Sequence, residues 1–206
     1  SAGRPLGPHH HTATISRVMN ELPTGEVTFL LTDVEGSTRL WEAESDAMRQ
    51  ALGEHDDLLT AAVEAHDGAV IKSKGEGDSL FAVFSTAANA VAAAVQAQYA
   101  LAEHDWGSTP LRVRMAIHTG TAQLRDGDYY GPTVNRAARL RAIGHGGQIL
   151  LSSVAAGLSR ASLPAGCSLV SMGQHRLKDL NEPEAVFQLT SPELLADLPP
   201  LRSLDT

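Results

Sequence analysis

Runs of apolar residues along this chain alternate with polar turns at spacings that define most of its elements. The segment Val27-Thr28-Phe29-Leu30-Leu31-Thr32, closed by Asp33, is short, β-rich and bounded by turn residues, which predicts a buried central strand over residues 26–33. A helix begins at Thr38, and Ser45-Asp46-Ala47-Met48 caps a longer one reaching about His66, where Asp67-Gly68 stops it. Residues 69–74 and 79–84 read as two strands, with the Gly-rich Gly75-Glu76-Gly77 as their hairpin loop. The alanine-rich stretch 87–104 is helical. Val113, Met115 and Ile117 then alternate with Arg112, Arg114 and Ala116 to mark a strand over 111–118. Thr119-Gly120 is expected to turn it into a further strand over 121–124. Residues 133–143 are helical, 148–151 a strand and 154–158 a short helix, and strands follow at 169–170 and 186–189. Strands and helices alternate, with two hairpins interrupting. That order favours an α/β sandwich with a mixed, mostly antiparallel sheet over a doubly wound parallel one.

At 206 residues the chain is long enough for one domain with a substantial core. Residues 1–22, which include His9-His10-His11, lack periodicity and read as a flexible, in part vector-derived segment. Residues 23–190 form the domain. Residues 191–206, with Pro192 and Pro199-Pro200, read as a loose C-terminal tail. The net charge of −8 disfavours nucleic acid and anionic lipid as partners, because no dense Lys/Arg stripe offsets it. Cys167 is the single cysteine, so neither an internal disulfide nor a thiolate metal cage can form. The chain has no apolar stretch of bilayer length and no signal-peptide order at its start, and the expectation is a cytoplasmic protein without membrane insertion.

Three polar constellations border apolar segments. Asp33 ends the first strand and is followed by Glu35-Gly36-Ser37-Thr38, a turn opening a helix, which is a way to present a metal ion beside a phosphate. Asp78 flanks the hairpin, and if the first strand lies beside that hairpin the two carboxylates converge as hard ligands for Mg²⁺ or Mn²⁺. Taken singly, Asp33 fits a helix cap and Asp78 a turn. Lys74 and Asp128 could read a base, the acid accepting from an exocyclic amine while the lysine donates. That suits adenine, a rotated guanine could use the same pair, and hydrogen-bond logic alone does not decide. Asn135 and Arg139, four apart, share one helical face after a Gly-Pro entry. Arg139 could stabilise charge on a transferring phosphate and Asn135 could orient a ribose. Alternatively, Arg136, Arg139 and Arg141 make an ordinary solvated face. His118 reads as a core or rim histidine, and Trp41 and Trp106 as packing residues.

These motifs resemble the catalytic domain of class III nucleotidyl cyclases, particularly bacterial soluble adenylate cyclases. The likeness runs over residues 26–189. It rests on Asp33-x-x-Gly36-Ser37, Lys74-x-x-Gly77-Asp78 and Asp128-x-x-Gly131-x-x-Val134-Asn135-x-Ala137-x-Arg139, with a C-terminal part in Gly173-Gln174-His175-Arg176-Leu177-Lys178 that looks like many bacterial members. The resemblance implies a ferredoxin-like class III cyclase fold with helices flanking the sheet. It makes Asp33 and Asp78 ligands of two divalent ions, Mg²⁺ or Mn²⁺, and Lys74 with Asp128 an adenine-selecting pair. It further assigns Asn135 to the ribose, Arg139 to the pentavalent phosphorus, and the amides of Glu35, Gly36, Ser37 and Thr38 with Lys178 to the triphosphate. Thr121 stands where some members carry an additional arginine.

On that resemblance the expected activity is adenylate cyclase, ATP to 3′,5′-cyclic AMP and pyrophosphate, at two equivalent sites shared across a homodimer. A guanylate cyclase and a catalytically silent nucleotide-binding module are the alternatives. The Gly-Gly-Asp/Glu-Glu-Phe signature of a diguanylate cyclase is absent.

Overall fold

The structure, a computed structural model, describes residues 21–71 and 77–204. Its centre is β1 (Gly25–Val34), whose β-branched and aromatic residues suit a strand paired on both sides. On one side lies β3 (Ser79–Phe84), antiparallel, with β2 (Ala69–Val70) outside it; on the other lies the long β4 (Val113–Arg125). The sheet continues through β6 (Ile149–Ser152), β8 (Glu184–Thr190) and β7 (Ser168–His175), in the order β2-β3-β1-β4-β6-β8-β7, and β5 (Asp128–Tyr130) folds back on β4. Among the described strands, β4 with β6 is the parallel pairing and the others are antiparallel.

Period-two alternation divides β1 between two cores. Leu30 and Val34 face α2 (Ser45–Ala65), α3 (Ala87–Glu103) and α5 (Ser153–Ser159), joining Met48, Leu59, Val91 and Ala155. Val27, Phe29 and Leu31 face the opposite side, where Tyr129 and Ala137 of α4 (Pro132–Ala142) cover them. Phe29, Phe81 and Tyr129 form a cluster with centroids 5.1 to 6.4 Å apart. Burial pushes the Tyr129 phenol up to about 12, and it donates to the Pro23 carbonyl at 2.6 Å. A third cluster, under the far end of α4, joins Leu140, Ile143 and Leu150 to Leu177 and Leu201. The short helix α1 (Ser37–Ala43) follows β1 directly. None of the described helices is long and apolar enough to cross a membrane.

Two expectations need correction. No turn occurs at Thr119-Gly120: β4 runs straight through, because β1 pairs with it continuously from Gly25↔Ala122 to Val34↔Val113. Thr28 and Thr119 share a hydroxyl hydrogen bond of 2.8 Å across the strands. Gly120 serves close approach instead of turning, since a Cβ there would lie 2.9 Å from the Thr133 side chain of α4. The C-terminal tail is also not loose. Leu194 packs on the main core, Ser191 accepts a hydrogen bond from the Tyr99 hydroxyl at 2.7 Å, and Leu201 is buried. Sequence spacing shows neither of these docking contacts, which join residues far apart in the chain.

His118 ends the apolar part of β4 and shares a 2.7 Å hydrogen bond with Ser152, the cap of α5. Burial pushes its imidazole down to about 4, against the opposing pull of Glu184. The unfolded chain therefore takes up a proton between about pH 6.5 and 4 that the folded chain refuses. The stability of the neutral buried ring is full above that window and is lost as pH falls through it. In urea titrations at pH 7 and pH 4, His118→Gln should show an acid-side loss smaller than that of the parent by up to about 3 kcal/mol; equal losses would count against this account. Gly120→Ala should destabilise by about 1–3 kcal/mol through the Thr133 clash, and Gly120→Ala with Thr133→Ser should recover part of it in thermal melts.

Candidate active site

Strand register builds the first half of the site. Asp33 lies directly opposite Arg114 of β4 on one side and Ser79 of β3 on the other. Parity puts Asp33 and Arg114 on the α4 face of the sheet. There Arg114 grips the carboxylate with two parallel bonds, Nε to Oδ1 at 2.7 Å and Nη2 to Oδ2 at 2.5 Å, the strong fork geometry of a guanidinium on a carboxylate. Arg141 reaches down from α4, its Nε 3.3 Å from Asp33 Oδ2 but without hydrogen-bond alignment, while its Nη1 donates to the Thr32 carbonyl at 3.1 Å. Asp33 is 8% exposed. The hydrogen bonds from Arg114 to Asp33 push the arginine further up against the effect of burial, and the charges of Asp33, Glu35 and Asp78 add to that.

Asp78 precedes the residue that pairs with Asp33, and both aspartates border a cavity of about 480 Å³ together with Gly36, Ser37 and Thr38. Gly36 caps α1 in the left-handed region, φ 70°, with no side-chain cap, so the first amides of the helix have no partner within it. The Glu35 amide is already engaged with the Arg112 carbonyl at 2.8 Å. Gly36, Ser37 and Thr38 are therefore the residues of this turn that can offer backbone donors to an anion in the cavity. Trp41, expected to pack, stands at the rim of the same cavity, 37% exposed.

The Glu35 side chain turns away from that cavity. Its carboxylate accepts from Arg202 at 2.6 Å and lies 3.7 Å from His145 Nδ1. Burial alone would raise its pKa and disfavour the carboxylate, but the Arg202 hydrogen bond, the Gly146 amide and the charges of Arg202 and His145 outweigh it and hold Glu35 below the usual carboxylate range.

The second constellation surrounds α4. Asp128 is 3% exposed at the start of β5, and its Oδ1 accepts from the Tyr129 amide at 2.7 Å. Gly131 at φ 123° admits the chain to α4, with Pro132 in its first turn. Asn135 is exposed, and Arg139 one turn on donates to Asp179 at 2.7 Å. Lys178, exposed, adjoins Asp179. Lys74 lies outside the described residues. Arg136, Arg139 and Arg141 do not form a single solvated face: they fan out to Glu184, Asp179 and Asp33 respectively. At roughly 100° per residue, Arg139 and Arg141 point about 200° apart around the helix. Arg141 faces Asp33, so Asn135 and Arg139 face away from it. One chain thus unites Asp33, Asp78 and the Gly36–Thr38 turn, and it keeps Asn135 and Arg139 apart from them.

The residues that the sequence reading missed are Arg114, Arg141, His145 and Arg202. Alternation on β4 gave Arg114 its face; the register that sets it against Asp33 comes only from pairing.

Two carboxylates lining one cavity with the helix-opening turn Gly36–Thr38 fit a hard divalent cation that takes its other ligands from water and phosphate. Among the described residues there is no group of three or more His, Cys, Asp or Glu placed to hold an ion. Bound phosphate oxygens would have to complete the coordination, and the cation would have to displace Arg114 from Asp33.

The catalytic-domain profile of adenylate and guanylate cyclases matches residues 19–190. An uncharacterized protein of Mycobacterium tuberculosis is 42% identical over 181 residues, covering 88% of this chain and 61% of that protein, so the chain spans about three fifths of the length of the curated relatives it matches. An adenylate cyclase structure from Trypanosoma brucei superposes with a TM-score of 0.76 at 28% identity, covering 89% of this chain and 95% of that one. The structure of an adenylate/guanylate cyclase/hydrolase from Silicibacter pomeroyi gives 0.70 at 26% identity, with coverage of 81% and 97%. The mostly antiparallel sheet with flanking helices is the arrangement these neighbours share, and this chain belongs to the adenylate and guanylate cyclase catalytic-domain family.

Proposed function

We propose that this chain is an adenylate cyclase, forming 3′,5′-cyclic AMP and pyrophosphate from ATP in the cytoplasm as a homodimer with two shared sites. The observation that carries the reading is the strand register that sets Asp33 beside Asp78 at one cavity with the Gly36–Thr38 amides. In the reaction the ribose 3′ oxygen forms a bond to the α-phosphorus, the bond to the pyrophosphate oxygen breaks, and the hydroxyl proton leaves. Two divalent ions, Mg²⁺ or Mn²⁺, held by Asp33 and Asp78 would acidify that hydroxyl and neutralise the departing pyrophosphate.

The chain's own residues do the rest. The amides of Gly36, Ser37 and Thr38 hold the triphosphate, with Lys178 as a further cation, and Glu35 braces that turn from behind. Asp128 accepts from the adenine amine and Lys74 donates to the ring. Asn135 orients the ribose, and Arg139 leaves Asp179 to stabilise charge on the α-phosphate. The opposed faces of α4 support a composite site, in which one subunit supplies the aspartates and its partner supplies Asn135 and Arg139.

A second reading has one observation in its favour: both oxygens of Asp33 are occupied by Arg114. A silent nucleotide-binding module would keep that pair permanently, binding nucleotide without turnover.

Purified protein with Mn²⁺ should form cyclic AMP from ATP in preference to cyclic GMP from GTP. Asp33→Asn and Arg139→Ala should each reduce the rate by about 100-fold or more. An equal mixture of the two variants, allowed to exchange subunits, should recover about a quarter of the parent rate, because half the dimers carry one intact site of two. No recovery would overturn the shared site, preference for GTP would make the chain a guanylate cyclase, and binding without product would establish the silent module.

Arg114→Gln leaves Asp33 with Arg141 alone and should lower stability by about 2 kcal/mol, below the usual loss for a fully buried pair because Arg141 stays 3.3 Å away and both partners keep some solvent contact. Saturating Mn²⁺ should restore more of the melting temperature in this variant than in the parent. A parent-like melt without metal would remove the Arg114 pair from the account of this site.

A further inference from the structure

The chain's last described residues make a series of contacts that secondary structure does not require. The His145 Nε2–H donates to the Pro200 carbonyl at 2.9 Å, and Leu201, 4% exposed, plugs the cluster under α4. The Arg202 amide donates to the Ile143 carbonyl at 2.9 Å, and Ser203 shares a 2.8 Å hydrogen bond with His175 Nδ1. These contacts suffice to dock the segment. The Arg202 side chain does something further: its Nη2 reaches Glu35 Oε1 at 2.6 Å, across 167 residues of sequence.

Glu35 stands between Asp33 and Gly36, and it is held at both ends. Its amide is tied to Arg112, and its carboxylate sits in a niche that exists because position 146 is glycine: a Cβ there would lie 2.8 Å from Glu35 Oε2 and 2.5 Å from the Arg112 side chain. Arg202, 48% exposed at its side chain, closes the niche from outside. An ion pair this open to solvent adds little to global stability. What it can do is fix the rotamer of Glu35 and with it the backbone of the turn, where a small misplacement of amides costs affinity for whatever they bind.

We infer that Arg202 is a positioning residue for the Gly36–Thr38 turn, acting through Glu35, so that the docked C-terminal segment sets how tightly the turn holds a triphosphate. The inference rests on the proposed nucleotide site for the ligand but not for the tie itself.

The test uses the full chain with Arg202→Gln and Arg202→Lys. Hydrogen exchange is followed at the hydrogen-bonded amides of Glu35, Arg39 and Leu40 and, as a reference on the opposite layer of the sheet, in α3. Binding of inorganic tripolyphosphate with Mn²⁺ is titrated in parallel. Arg202→Gln should speed exchange at Glu35, Arg39 and Leu40 by about ten-fold with α3 unchanged, weaken tripolyphosphate binding about five-fold, and leave the melting temperature within a degree or two. Arg202→Lys should recover part of both effects. Exchange that is unchanged at the turn, or faster everywhere alike, overturns the inference. Faster exchange confined to the turn in a protein that binds no tripolyphosphate would uphold the positioning role and sink the proposed nucleotide site.

Discussion

The site depends on one constraint, the register of β1 between β3 and β4. Side chains alternate along a strand, so a slip of one residue would carry Asp33 to the α2 face and break its alignment with Arg114 and Ser79 together. The register is held by apolar residues on both faces of β1, by ten paired positions with β4, and by the Thr28–Thr119 hydroxyl bridge. An acid at the end of such a strand inherits the rigidity of the whole sheet. That is why the carboxylate at the strand end, the carboxylate beside its β3 partner and a helix-opening turn can be presented at one cavity.

Much of this was legible in the sequence. The apolar run before Asp33, the hairpin spacing and the alternation at Val113, Met115 and Ile117 locate the strands that form the site, and period-two parity assigns Asp33 and Arg114 to faces. The fold class follows from the same pattern. What the pattern could not give was partnership across distance. The Arg114 clamp needs the β1–β4 register, the approach of Arg141 needs the seating of α4, and the tie between Glu35 and Arg202 needs a docked tail, all contacts between residues far apart in the chain. Gly120 misled for a related reason. A Thr-Gly pair after a strand reads as a turn, yet this glycine is there to admit Thr133, and only a packed helix reveals that.

Helix α4 shows how a single element can serve two directions. Its arginines, spaced at two and three residues, distribute to β1, to the loop before β8 and to Glu184 at the start of β8. The pairings fix the helix in rotation, and rotation decides which residues it turns toward Asp33 and which it offers outward. Sequence proximity is therefore a poor guide to shared function here: Arg139 and Arg141 are two residues apart and belong to different environments.

The Arg114–Asp33 pair has a consequence for the life of the molecule before it meets any ion. Two acidic groups at one rim repel, and that repulsion has to be offset by solvent, a cation or a neighbouring positive charge. Here the relief at Asp33 is supplied by a guanidinium on the neighbouring strand. The charge of Asp33 is thereby already balanced within the folded chain, so closing the fold calls for no cation at that residue.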